Sequence, residues 1–487
     1  MKRTPIPCIM TNRAVEVQVD AVRADTRCQP FVSKMRAAGL PEAAVGGFCL
    51  HFARYLDGGQ ATLAEDDIRP VEALPDAETL SGLAEVGRAG LGRVAVIKVN
   101  GGLGTGMGLE RAKSLLEVRA RLTFLDLIAR QILSLRERTG ASVPLLMMDS
   151  FRTAGDSAAI LGRYPGLAVE GLPLSFLQHR IPKVSVDGAR PAAWPVDPEL
   201  EWCPPGHGDL YPALATSGVL DRLLERRFEF AFVSNADNLG AVLDPAILGY
   251  VVERGLAFLL EAADRTPADR KGGHLCRLSD GRLALREAAQ CPPDEVKAFQ
   301  DVARHRFFNS NNLWLHLPSL RRTLDEHNGV IPLPTIVNRK TLDPRDPSSP
   351  AVVQLESAMG AAISLFSPSE AVRVSRRRFS PVKNTDDLLA ARSDAYRLGA
   401  DGRLALDGSR SSPPVVSLDP RYYTRIDDFE RRFPFGAPSL IGCDALTVEG
   451  DVTFGRGVVL RGTVRISAAG GPARVADGSR VEGALRL

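Results

Sequence analysis

The densest concentration of residues able to do chemistry follows a short aliphatic run, Val94-Ala-Val-Ile-Lys-Val99. It reads Asn100-Gly-Gly-Leu-Gly-Thr-Gly-Met-Gly108, five glycines in nine residues. Backbone amides unobstructed by Cβ atoms can turn together onto an anion, which is how a loop cradles phosphate. The same composition also builds a tight structural turn. Two familiar nucleotide loops are excluded by spacing. The window holds no G-x-G-x-x-G, and Lys113-Ser114, which ends like a P-loop, has Ala112 and Met107 where that motif requires glycine.

Other polar residues stand where a ligand could meet them. Asp237 follows the apolar run Phe228 to Val233, at the end of an expected strand. A carboxylate there suits Mg2+, which takes one or two protein carboxylates and fills its shell with water and substrate phosphates. Asp-Asn is also good turn sequence. His207 stands in Pro204-Pro-Gly-His-Gly-Asp209, between glycines that permit close ligand approach. No second His or Cys lies near it at metal-ligand spacing, so zinc is not expected.

The elements that must position these residues follow from hydrophobic patterning. Short apolar runs at 94–99, 143–148, 172–176, 228–233 and 257–260 read as buried strands, and 121–138 as a helix. Their alternation predicts an α/β fold with a doubly wound sheet, in which ligands bind beyond the carboxyl ends of the strands. Residues 1–90 read as an N-terminal helical region, with Phe48, Phe52 and Leu56 at helical spacing. The tail has a different period. Leu446, Val452, Val458 and Val464 recur every six residues, as do Val448, Phe454, Leu460 and Ile466, and Val475, Val481 and Leu487 resume the pattern. Aliphatic hexads with nearby glycines predict a parallel β-helix.

Composition sets the outer bounds. The chain has 487 residues, a length of about three domains. Its 44% hydrophobic and 24% charged residues are those of a globular protein with a buried core. The net charge of +3 shows no basic excess, so a nucleic-acid partner is not expected. Only nine of the 61 basic residues are lysine, which makes each lysine inside a motif more informative. Seven cysteines, from Cys8 to Cys443 and without a C-x-x-C pair, are expected to be buried thiols. The N-terminus lacks a signal-peptide apolar segment, and no run approaches the ~18 apolar residues of a membrane span. The expectation is a cytoplasmic protein with no membrane partner.

Several motifs together carry a resemblance. Lys98-Val-Asn-Gly-Gly-Leu-Gly-Thr-Gly-Met-Gly108 and Lys113-Ser-Leu-Leu-Glu-Val118 resemble the nucleotide-binding loop of the eukaryotic-type UTP–glucose-1-phosphate uridylyltransferase family. The likeness continues through Leu122-Thr-Phe-Leu-Asp126, Asp149-Ser-Phe151, Pro204 to Asp209, Ser234-Asn-Ala-Asp-Asn-Leu-Gly240, Lys271-Gly-Gly273, Asn309-Ser-Asn-Asn-Leu-Trp314, Gln354-Leu-Glu356, Arg378-Phe-Ser-Pro-Val-Lys383 and the stretch Leu446 to Gly455. The resemblance implies an α/β fold with a Rossmann-like nucleotidyltransferase core. A helical N-terminal region (1–90) would precede the catalytic domain (91–395), and a C-terminal left-handed parallel β-helix (396–487) would follow. The end of such a helix can stack on a second copy, giving a homo-oligomer, or can be capped.

The implied reaction joins MgUTP and glucose 1-phosphate to give UDP-glucose and pyrophosphate. The attacking sugar phosphate is already anionic, so the protein must supply position and charge neutralisation rather than a nucleophile. By resemblance, Lys383 and Lys113 are the catalytic cations. Val99, Asn100, Gly101, Gly102, Gln178, Gly206 and Asn235 join them in holding the nucleotide. The Gln178 amide, donor and acceptor together, would select uracil. Gly101, Gly102, His207, Asn235, Asp237 and Asn311 would hold the sugar phosphate, with Asp237 also the Mg2+ ligand. Asn235 and Asn238 offer neutral hydrogen bonds to sugar or ribose hydroxyls. Asn311 is also read as part of an Asn-rich turn before Leu313-Trp-Leu315. Gly106 stands where the family has Ser, Leu109 to Ala112 replace a Gly/Pro-like stretch, and Ala236 replaces a larger aliphatic. Asp149 stands where Asn is common and is expected to alter uridine contacts. The rival readings are a uridylyltransferase of another sugar 1-phosphate and a non-catalytic nucleotide sensor. An N-acetylglucosamine 1-phosphate enzyme is disfavoured because Leu103 stands where that family's loop has Gln.

Overall fold

The computed structural model describes residues 25–58, 62–266 and 269–487. Cys8 and the first 24 residues of the expected N-terminal region lie outside the described residues.

Ten strands form the central sheet: β1 (Ile68–Pro70), β2 (Val94–Asn100), β3 (Leu145–Asp149), β4 (Ser175–Leu177), β5 (Phe230–Asn235), β6 (Phe258–Asp264), β7 (His274–Leu278), β8 (Leu283–Arg286), β9 (Phe307–His316) and β10 (Ser369–Val374). The main path runs β1-β7-β9-β5-β2-β3-β4, with β6 bridging β9 to β10 and β8 pairing β7. Strands β4, β3, β2 and β5 are parallel neighbours. Six of the seven residues of β2 are buried, as expected where both faces of a strand are covered.

The sheet is mixed rather than uniformly parallel. β9 runs antiparallel to both β5 and β6 in the middle of it. Its Leu313, Trp314 and Leu315 are fully buried, and Trp314 packs on Phe232 with ring centroids 4.7 Å apart. The Asn-rich stretch is therefore strand and not turn. The register slips between Glu261 and Ala262, so that Ser310 and Asn311 form a bulge, with Asn311 at φ 57°. Asparagine tolerates that left-handed conformation, and a bulge re-aims a side chain beside a site.

Helix α1 (Gln29–Ala37) and helix α2 (Glu42–Leu56) bury Phe31, Phe48 and Phe52 against one another, with centroids 4.7–5.6 Å apart. β1 shows that the N-terminal region also supplies an edge strand to the central sheet. Helix α3 (Phe124–Thr139) begins at a capping box between Thr123 and Asp126 and ends at Gly140, whose φ of 69° suits a residue without Cβ. The hexad tail forms parallel ladders. Leu446 pairs with Val464 and Val448 with Ile466, three hexads on, while Phe454 pairs with Val475 and Leu460 with Val481. The nine apolar hexad side chains from Leu446 to Ile466 and Val475 are each at most 1% exposed. These side chains continue the apolar core that covers one face of the central sheet. No helix among the described residues is long and apolar enough to cross a membrane. None of the six described cysteines forms a disulfide, and five of them are buried.

Candidate active site

The strand order β4-β3-β2 reverses at β5, so the carboxyl ends of β2 and β5 flank a switch point, where open α/β sheets bind ligands. Val99 pairs with Asn235 across it. The glycine loop leaves β2 there and Asp237 leaves β5, and between them opens a cavity of about 300 Å³. Ten of the expected site residues line it: Val99, Asn100, Gly101, Gly102, Lys113, Gln178, Gly206, His207, Asn235 and Asp237. Lys383 and Asn311 do not line this cavity.

Close approaches explain two of the glycines. A Cβ on Gly101 would stand 2.2 Å from the Gln178 side-chain nitrogen. Gly206 has φ 81°, and a Cβ there would lie 2.5 Å from the Ser357 carbonyl oxygen. Asn100 reaches the cavity, but its side-chain amide donates to Asp149 Oδ1 at 2.7 Å and to Ser157 Oγ at 2.9 Å. Asp149 is fully buried, and that burial raises its carboxyl against the pull of these hydrogen bonds. Asp149 does not line the cavity, and its carbonyl also accepts the Gln178 N–H at 2.8 Å.

The charges are compact. Lys113 Nζ donates to Asp237 Oδ2 at 2.7 Å. Asp237 Oδ1 and Asn235 Oδ1 are buried with no hydrogen-bond partner. Two oxygens lacking donors beside a cavity fit a cation and ligand hydroxyls. Among the described residues no three His, Cys, Asp or Glu side chains gather as a protein metal cage. A lone carboxylate completed by phosphate and water oxygens is the pattern Mg2+ accepts. His207 Nδ1 accepts the Met359 N–H at 3.0 Å, which leaves Nε2 to carry the ring proton. Burial pushes this imidazole down to about 4, so at neutral pH it is an uncharged donor.

A family model described as UTP–glucose-1-phosphate uridylyltransferase matches residues 45–461. The chain belongs to the UTP–glucose-1-phosphate uridylyltransferase family. The Saccharomyces cerevisiae UTP–glucose-1-phosphate uridylyltransferase is 42% identical over 78% of this chain and 75% of its own length. The Hordeum vulgare enzyme of that name is 37% identical over 95% of this chain and 97% of its own. A Trypanosoma brucei structure titled UDP-glucose phosphorylase superposes with TM-score 0.89 at 42% identity, over 95% of this chain and 100% of that one. A Leishmania major UDP-glucose pyrophosphorylase variant in complex with UDP-glucose gives TM-score 0.88 at 41% identity, with the same coverage.

Lys383 is exposed, its ammonium 5.6 and 5.7 Å from the Phe308 and Phe379 ring centres. Its segment is tied to the cavity by the Val382 N–H, which donates to the Asp237 carbonyl at 3.2 Å. Asn311 Oδ1 accepts from Asn309 Nδ2 at 2.9 Å on the bulge. Asn238 departs from expectation. It is 1% exposed and both ends of its amide bond protein atoms, so it offers nothing to a sugar. Its place one residue beyond Asp237 puts it under the loop instead of facing the cavity.

Sequence reasoning missed three groups. Glu287, just past β8, lies within 2.5 Å of where a Cβ on Gly273 would stand. Burial pushes its carboxyl up to about 7, against the opposing field of Lys383. Glu356 lines the cavity, its carboxyl also raised by burial. Lys98, under the floor, donates to Ser234 Oγ and the Ala241 carbonyl at 2.7 Å, and burial pushes it down to about 7. The available signals were the Lys271-Gly-Gly273 and Gln354-Leu-Glu356 matches and a lysine inside an aliphatic strand.

Proposed function

We propose that the chain reversibly transfers a uridylyl group from MgUTP to glucose 1-phosphate, giving UDP-glucose and pyrophosphate by direct in-line displacement. The observation that carries this reading is the convergence of the glycine loop, Lys113 and Asp237 on one cavity at the switch point, in a chain of this family. A glucose 1-phosphate oxygen attacks the α-phosphorus of UTP, and pyrophosphate departs from the opposite side. No protein nucleophile is required. Backbone amides from Asn100 to Gly102 receive the triphosphate beside Lys113, and the Gln178 amide and Gly206 hold the uracil. His207 donates a neutral N–H to the sugar phosphate. Asn235, Asn311 and the missed Glu287 meet the sugar hydroxyls, and Lys383 neutralises charge at the reacting centre. Asp237 would hold Mg2+, which neutralises developing charge on phosphate oxygens.

The same reading places an N-terminal region at 1–90, the catalytic domain at 91–395 and a left-handed parallel β-helix at 396–487. The parallel ladders support the last. Its final strand, Arg480–Arg486, pairs on one side only and is the surface a second copy would stack on. Cysteines in the reduced form agree with a reducing compartment, which we take to be the cytoplasm.

Incubation with UTP, Mg2+ and a panel of sugar 1-phosphates tests the function. Pyrophosphate release is expected with glucose 1-phosphate well ahead of galactose and N-acetylglucosamine 1-phosphates. No release with any sugar rejects the reaction, and equal turnover of another sugar rejects the specificity. Gly101→Ala tests the base site, because its Cβ must displace Gln178. We expect KM for UTP to rise at least tenfold, a loss of about 1.4 kcal/mol or more, with KM for glucose 1-phosphate little changed. An unchanged KM for UTP would remove Gln178 from base recognition.

A further inference from the structure

Asn238 has a different task from the one its sequence position suggests. Its Nδ2 donates to the Arg378 carbonyl at 3.1 Å, and its Oδ1 accepts the Ser380 N–H at 3.0 Å. A planar amide that bonds one carbonyl and one N–H of a neighbouring segment imitates a peptide group in a sheet ladder. No hydroxyl or carboxylate of similar length offers both a donor and an acceptor in one plane. The backbone continues the contact, with an isolated antiparallel bridge between Asn238 and Pro381 and the Val382 N–H on the Asp237 carbonyl.

Both ends of this clasp are anchored. Arg378 is gripped by Glu261, Nε to Oε2 at 2.9 Å and Nη2 to Oε1 at 2.6 Å. Glu261 is fully buried on β6 and also accepts from Trp314 Nε1 at 3.0 Å and Asn312 Nδ2 at 2.9 Å on β9. Asn238 Nδ2 also reaches Asn312 Oδ1 at 3.3 Å. The start of the Lys383 segment is thus pinned to the sheet, and its middle to the loop that bears Asp237.

We propose that Asn238 is a positioning residue that fastens the segment Arg378 to Lys383 onto the Asp237 loop and so sets where the Lys383 ammonium stands relative to the Asp237 carboxylate. This rests on the proposed catalytic role of Lys383. Displacing a catalytic group by about 1 Å can cost roughly 10²-fold in rate. Asn238→Ala is therefore expected to lower kcat by about that factor, while KM for UTP and the calorimetric Kd for UDP-glucose stay within about threefold.

A double-mutant cycle with Lys383→Ala separates this from a merely structural role. Because Asn238 acts through Lys383, Asn238→Ala is expected to change kcat less than threefold in the Lys383→Ala background. The same large factor in both backgrounds would overturn the proposal, as would full activity of Asn238→Ala beside a crippled Lys383→Ala. Near-normal turnover of Lys383→Ala itself would instead overturn the catalytic assignment on which the proposal rests. Asn238→Asp keeps the shape and the Ser380 acceptor but turns an oxygen toward the Arg378 carbonyl. If the alanine variant does not fold, the cycle is run with the aspartate, for which about a tenfold kcat loss is expected on Lys383 and none without it.

Discussion

Lys383→Ala is expected to lower kcat by about 10³-fold, the upper end of what removing one preorganised electrostatic group costs, and to leave stability nearly unchanged. The two halves of that expectation have separate reasons. Lys383 is exposed, and its ammonium lies over the faces of Phe308 and Phe379, an interaction of about 0.5–1 kcal/mol at an exposed site. Its backbone N–H bonds Asp387 at 2.7 Å whatever the side chain, so the cap of the following helix survives. On the proposed mechanism, what alanine removes is the cation that neutralises charge at the reacting centre. UTP affinity should fall far less than kcat, because Lys113 and the glycine loop remain. Steady-state kinetics beside a thermal melt decide the matter, and near-normal turnover would take Lys383 out of the reaction. Lys383→Arg is expected to recover only part of the loss, since a planar guanidinium fork does not present its charge to a phosphate as a compact ammonium does.

Asp237→Ala should cost about 10²–10³-fold in kcat, the size of one electrostatic group, and it should do so by a different route. In the structure one Asp237 oxygen holds Lys113 and the other has no partner. If Asp237 is the Mg2+ ligand proposed, losing the carboxylate would remove the protein's grip on the metal and at the same time free Lys113. Manganese binding followed by electron paramagnetic resonance should weaken at least tenfold. UTP affinity measured without metal should hold or improve, because Lys113 no longer has a competing anion beside it. In the unaltered protein, chelation should abolish turnover and added Mg2+ restore it. An Asp237→Ala variant that keeps the normal Mg2+ saturation curve would place the metal elsewhere.

The candidate site was legible to different depths. The glycine loop and Asp237 could be located because each follows an apolar strand, and a sheet presents such residues at one edge. His207 and Gln178 could be named as side chains with suitable chemistry, but only folding shows His207 as a neutral donor held by the Met359 N–H. Glu287 was missed because nothing local marks a carboxylate that becomes buried opposite a lysine distant in the chain. Asn238 was misread for a related reason. Its neighbours in sequence suggest a ligand contact, whereas its partners Arg378 and Ser380 come from a segment that reaches it only in the folded chain.

The sequence alone determined the periodic features: the buried strands on either side of the switch point, the hexad tail and the glycine loop. Each depends on short-range spacing, and side-chain alternation or a six-residue repeat dictates which face is buried whatever lies beyond. The tertiary structure decided the rest. It set β9 antiparallel among parallel strands and spread the bulge at Ser310 and Asn311. It also tied the segment that bears Lys383 to the Asp237 loop through a backbone hydrogen bond and a clasped asparagine. Those outcomes depend on partners far apart in the chain, whose pairing is settled by packing and by the need to satisfy every buried polar group.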